Sequence, residues 1–230
     1  MTIAALLMLT AIGLSDPAAT GRLSVRSIPS EIRIDELDSP VWKKADEVLV
    51  DAYWSGERAP QTRRFKSRLL WSKTALYLRF DAEQHEPLIV SDRPDLSMKA
   101  IGLWDRDVVE IFIAPDSKQP NKYFEFEVAP TGEWVDLGIE VTPEKRITDR
   151  AYVSRMESSA RVDKDRVTIA MKIPFKALGR TPEAGDVWLG NLFRCVGSGP
   201  TRGYLAWRPT NTPQPSFHIP SAFGEFHFVK

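Results

Sequence analysis

From residue 23 onward, short runs of alternating apolar and polar positions follow one another, and apolar residues at helical spacing are scarce. The clearest run is a hairpin over residues 65–81, in which Leu76, Leu78 and Phe80 alternate with other residues after the turn Ser72-Lys73-Thr74. Residues 108–113 and 123–128 read as two further strands, and Pro130-Thr131-Gly132 turns the chain into a run over 134–141. Residues 152–162 and 166–173 flank Asp163-Lys164-Asp165, and Val167, Ile169, Met171 and Ile173 mark one face at period two. Runs at 187–196, 204–208 and 225–229 bring the total to roughly nine or ten strands, too many for a flat sheet with one face in water. The 17 prolines and 13 glycines punctuate these runs, and residues 174–179 read as one helical turn. The pattern predicts an all-β fold, an antiparallel two-sheet β-sandwich of the jelly-roll or immunoglobulin-like kind.

Length and composition narrow this picture. A chain of 230 residues with 43% hydrophobic content supports one large domain, placed at residues 20–230. Residues 1–15 carry no charge, are apolar from Ile3 to Leu9, and have small residues at Gly13 and Ser15. With the following small, flexible stretch they read as a signal peptide and short linker over 1–19, which implies a secreted or periplasmic protein. That apolar stretch is too short to span a bilayer, so no membrane partner is expected once the protein is mature. Lys+Arg and Asp+Glu both number 31, which removes the long-range attraction that nucleic acid binding requires. Arg63, Arg64, Lys66 and Arg68 form the one basic cluster and read as a solvated strand edge. A monomer is expected.

The candidate chemistry is sparse. Cys195 is the only cysteine, which excludes an intrachain disulfide and predicts a buried, inert thiol. No G-x-S-x-G elbow occurs, and His85, His218 and His227 lack metal-ligand spacing, so no catalytic and no metal-binding residue is assigned. Acidic residues at Asp105, Asp107, Glu110, Glu125 and Glu127 read as solvent-facing alternates of half-buried strands. Aromatic rings are more informative, because a pyranose offers apolar C–H faces to a flat ring and hydroxyls to nearby polar groups. Of seven tryptophans, Trp71, Trp134 and Trp188 fall in strand patterns, and Trp42 reads as a plug of the sandwich. Trp104 stands apart, in a polar loop six residues before Glu110.

At this point the chain resembles the family 9 carbohydrate-binding modules. The resemblance runs through Ile34-Asp35-Glu36-Leu37-Asp38-Ser39-Pro40-Val41-Trp42, then Leu70-Trp71 and Leu76-Tyr77, then the stretch from Trp104 to Ile113. It continues from Tyr123 to Gly132, through Ala206-Trp207-Arg208-Pro209-Thr210 and Ser216-Phe217-His218-Ile219-Pro220, and ends at Phe223-Gly224. It implies a bacterial β-sandwich without catalytic activity, linked to carbohydrate catabolism, that binds a mono-, oligo- or polysaccharide. Carried over by motif, Trp104 and Phe217 are the two rings that clamp a terminal sugar, Glu110 is the carboxylate that bonds its hydroxyls, and Asn211 is the nearby amide. A basic residue of some members falls at Glu127 and a glutamine at Phe193, so Arg194 or Arg208 would have to supply a guanidinium from elsewhere. No cofactor is implied, although structural calcium is compatible with the family, with no ligand set legible. Two rival readings remain: a haem-binding electron-transfer sandwich using Met98, Met156 or Met171 with His85 or His218, and a glycoside hydrolase using Glu110 with Glu125 or Glu127.

Overall fold

The computed structural model describes residues 20–230; the expected signal peptide and linker, 1–19, lie outside the described residues. Thirteen strands follow in chain order: β1 Arg22–Ser27, β2 Glu47–Val50, β3 Phe65–Trp71, β4 Ala75–Glu83, β5 Val108–Ala114, β6 Lys122–Val128 and β7 Trp134–Val141. They continue with β8 Arg146–Asp149, β9 Glu157–Asp163, β10 Arg166–Pro174, β11 Val187–Val196, β12 Gly203–Ala206 and β13 Gly224–Val229. The strands pair in the order β8-β7-β6-β5-β11-β13-β1-β3-β4-β10-β9, with β12 added to β11 and β2 to β3.

The expected sandwich is therefore one sheet folded over on itself. A front layer from β8 to β11 faces a back layer from β13 to β9, and the ladder between β11 and β13 joins them. Apolar side chains at period two close the space between the layers: Val109, Ile111 and Ile113 from β5 meet Leu76, Leu78 and Phe80 from β4 and Val167, Ile169 and Met171 from β10. Pairing departs from the expected antiparallel arrangement at one strand. β1 runs parallel to both β13 and β3, because the long connection over residues 28–64 brings the chain back to lay β3 alongside β1. Residues 174–179 form the expected turn, with Ala177 N–H bonding Pro174 O and Leu178 N–H bonding Phe175 O.

Both outer faces are also covered. Residues 28–45 lie over the back layer, where Ile28, Ile32, Leu37 and Trp42 pack on Leu70, Tyr77 and Ala170. Trp42 thus plugs the outside of that layer and not the space between the layers. Over the front layer, Leu103, Ala206 and Phe217 pack on Val108, Phe112, Leu137 and Phe193. This second cover buries every residue of β5, on both faces. The basic cluster is consumed locally: Arg63 forks onto Glu86, Arg68 bonds Glu47 and Asp81, and Lys66 pairs with Glu47.

Candidate functional site

A cavity of about 300 Å³ opens in the cover of the front layer, and Trp104, Glu110, Glu125, Arg146, Phe217 and His218 are among its lining residues. Trp104 reaches it through a tight bend. Gly102 adopts φ +88°, which glycine tolerates, and a single 3-10 turn over Leu103–Asp105 follows before β5 begins at Val108. Leu103 anchors the turn in the front-layer cover, leaving the indole of Trp104 half-buried. The Arg202 guanidinium locks the bend by donating to the carbonyls of Trp104 (2.6 Å), Arg106 (2.8 Å) and Gly197 (2.6 Å). Asp107 secures its far side, accepting from the backbone N–H of Gly197 at 2.7 Å and of Ile89 at 3.2 Å. An extended run would hold Trp104 and Glu110 up to about 20 Å apart, and this bend is what lets both face one cavity.

The expected solvent-facing acids are a correction. Glu110, Glu125 and Glu127 are only 2%, 3% and 0% exposed, because the outer face of β5 and β6 lies beneath the cover and not in water. Strand register sets Glu110 directly opposite Glu127, with Glu125 two residues along on the same face. Oxygens of all three lie within 4.8 Å of one another. Burial, then the charge of Glu125, pushes the Glu110 carboxyl up to about 8. Burial likewise raises Glu125, and burial with the charges of Glu110 and Glu125 lifts Glu127 well above the carboxylate range. Cys195 Sγ donates to Glu110 Oε1 at 3.3 Å, and its buried thiol is itself pushed well up by burial, so it is inert as expected.

Phe217 lines the same cavity, but one face of its ring is taken: it stacks on Phe193 with centroids 4.0 Å apart and planes 11° from parallel, leaving it 8% exposed. Tyr204, packed edge-on against Phe217, is a third ring on the cavity wall. Asn211 is not among the lining residues. It is exposed in a left-handed turn at φ +53°, a conformation asparagine accepts, and its N–H donates to Trp54 O at 2.7 Å. Nor do the two arginines named in sequence supply the guanidinium. Arg194 is buried and donates to the carbonyls of Arg63 and Glu83 and to Gln84, while Arg208 lies against Gly21. The cavity draws its guanidiniums from Arg146 on β8 and from Arg150 just beyond, both exposed.

His218, a haem-ligand candidate and part of a matching motif by sequence, forms a wall of the site. Its Nδ1 bonds the Tyr123 hydroxyl at 2.8 Å and its ring lies against Phe112. Burial, then the charge of Arg146, lowers it to about 3, so the imidazole is neutral. Met171 sits in the core between the layers, so the front layer separates it from His218; Met98 is exposed. The sequence signal for the carboxyl group was present but misassigned, since Glu125 and Glu127 alternate with Phe124 and Phe126 on one strand.

A family model described as carbohydrate family 9 binding domain-like matches residues 34–230. The chain belongs to this family. Among solved structures similar to this family 9 domain is a Bacteroides uniformis protein classed provisionally as carbohydrate-binding, at TM-score 0.71 and 18% identity, covering 90% of this chain and 98% of that one. Another is a family 9 carbohydrate-binding module from Caldicellulosiruptor kristjanssonii in complex with cellotriose, at TM-score 0.64 and 17% identity over 90% of this chain and 93% of that one. A curated relative from Arthroderma benhamiae, named an extracellular protein, is 26% identical over 175 residues, 70% of this chain and 77% of its own length. At such identities the structural likeness establishes the β-sandwich fold. No helix among the described residues is long and apolar enough to cross a membrane.

Proposed function

We propose that this family 9 domain binds a terminal sugar ring in the cavity over its front layer, outside the cytoplasm, and performs no chemistry on it. The observation that carries the reading is that a half-buried indole, Trp104, and a buried carboxyl, Glu110, line one concave site. The indole offers a flat apolar surface to the C–H face of a pyranose, and the carboxyl bonds hydroxyls at its edge; a neutral bond of this kind contributes about 0.5–1.5 kcal/mol. The free face of Phe217 and the ring of Tyr204 complete the wall. A volume of about 300 Å³ stands at the low end for small-molecule sites, which suits one ring or a chain end better than a chain interior.

The complexes of the Caldicellulosiruptor module with cellotriose and with glucose support a saccharide ligand, and the extracellular relative supports action outside the cell. A role beside polysaccharide breakdown or uptake follows from such a ligand. Side-by-side placement of the three glutamates argues against hydrolysis, since an acid and a nucleophile must flank the scissile bond while these carboxyls share one floor.

Tryptophan fluorescence titrated with glucose, cellotriose and a panel of other mono- and disaccharides tests the reading. Saturable binding that Trp104→Ala abolishes is the expected result. No response to any sugar would refute it, and reducing sugar released by wild type but not by Glu110→Gln would replace binding with hydrolysis.

A further inference from the structure

We propose that Glu110, Glu125 and Glu127 form a calcium site at the floor of the cavity, which presents the ion to the ligand above. Each offers one oxygen, and the three oxygens lie within 4.8 Å of one another. Calcium holds its oxygen ligands at about 2.3–2.6 Å, so ligands on opposite sides of the ion stand about 4.6–5.2 Å apart; magnesium, at about 2.0–2.1 Å, demands a tighter cage. The carboxylate donor set matches a hard cation.

A second observation, independent of spacing, points the same way. Glu127 is fully buried, and neither its oxygens nor Oε2 of Glu125 meet a hydrogen-bond donor from outside the three glutamates, although Glu125 and Glu127 bond each other. Buried acceptors are almost always satisfied, and three that converge with no donor from outside the cluster must share protons among themselves or receive a positive group. No side chain supplies that group. Arg202 is committed to three backbone carbonyls, Arg146 stays exposed at the rim, and the weak S–H of Cys195 reaches Glu110 alone. A bound dication would also remove the repulsion of two like carboxyls set directly opposite across β5 and β6.

Nε2 of His218 stands 4.0 Å from Glu125 Oε2, and the Nδ1 bond to Tyr123 fixes the ring in that orientation. Glu110 and Glu125 line the cavity while Glu127 lies behind them, so the open side of the ion faces the cavity. Hydroxyl pairs of a sugar can replace water on that side, a step that rests on the sugar-binding reading.

The test strips the protein with EDTA and titrates it with calcium chloride and, in parallel, magnesium chloride, by calorimetry and thermal unfolding. Glucose is then titrated by fluorescence in calcium and in EDTA. One calcium per chain is expected, with a raised Tm and weaker magnesium binding. Glu127→Gln and Glu125→Gln, near-isosteric changes, should each weaken calcium by about tenfold or more. Glucose affinity should fall by about the same factor in EDTA. Trp104→Ala should lose glucose and keep calcium. The site is overturned if wild type takes up no calcium at millimolar concentration, or if both Gln variants bind it unchanged, which would place the ion elsewhere. Glucose binding that is equal in EDTA overturns the presentation of the ion to the sugar and leaves the sugar site standing; calcium without any sugar response does the reverse.

Discussion

Trp104 and Glu31 show how differently single residues are used. The Trp104 ring is half-buried in a turn held by backbone contacts to Arg202, so its removal costs ligand contact and little packing. Trp104→Ala should weaken sugar binding by about 2 kcal/mol or more, roughly thirtyfold in Kd, with the Tm nearly unchanged. Glu31, far from the cavity, ties the cover of the back layer to the β3–β4 turn, accepting from Ser72, Thr74 and Tyr77. Its burial works to raise the pKa, but these hydrogen bonds, with Lys172, win and bring it to about 2. Because the folded value lies below the unfolded one, this stabilisation is complete above about pH 4.5 and disappears as the pH falls toward 2. The side chain is 47% exposed, so its full linkage energy is screened to about 1 kcal/mol. Glu31→Gln should therefore lower the urea midpoint at pH 7, and the gap to wild type should close near pH 2.

At the scale of elements, β11 is the strand on which the architecture turns, for it pairs with β5 along one edge and with β13 and then β12 along the other. Gly190 sits where the two layers join. A Cβ there would stand 2.2 Å from the Phe112 carbonyl and 2.4 Å from the Phe226 ring, and a backbone carbonyl in a ladder cannot retreat. Gly190→Ala should cost about 3 kcal/mol, read as a drop in Tm of roughly 6–12 °C. Strands were legible in sequence where period-two alternation was long, as in β4 and β10, or where the apolar run was long, as in β11. β1, β2 and β8 escaped: β1 and β2 offer only two strongly buried apolar positions each, and β8 is a short, largely exposed edge. That loss hid Arg146, the guanidinium supplied by β8. The site was half legible for a related reason. Trp104, Glu110 and Phe217 meet at the cavity, but alternation assigns Glu125 and Glu127 to solvent. It cannot show that residues 100–104 and 204–223 lie over that face. Asn211, matched by motif to a ligand contact, stands outside the cavity lining in a left-handed turn, a placement set by backbone conformation and not by residue type.

For the whole molecule, continuity of the sheet from β8 to β9 leaves no seam at which part could unfold alone, so thermal unfolding should be a single transition. Ligand couples to that transition by mass action. Glucose at a hundred times its Kd should add about 2.7 kcal/mol, seen as a Tm rise of roughly 5–10 °C that Trp104→Ala removes. The parallel pairing of β1 with β13 has a mechanical meaning. Arg22 lies beside Glu225 and Arg26 beside Val229, so the start of β1 and the end of β13 stand at opposite ends of one ladder. Tension applied at Arg22 and Val229 would slide the two strands past each other, loading all of their hydrogen bonds together instead of peeling them one by one. A domain pulled from these two points while gripping a sugar would resist in shear, its strongest geometry.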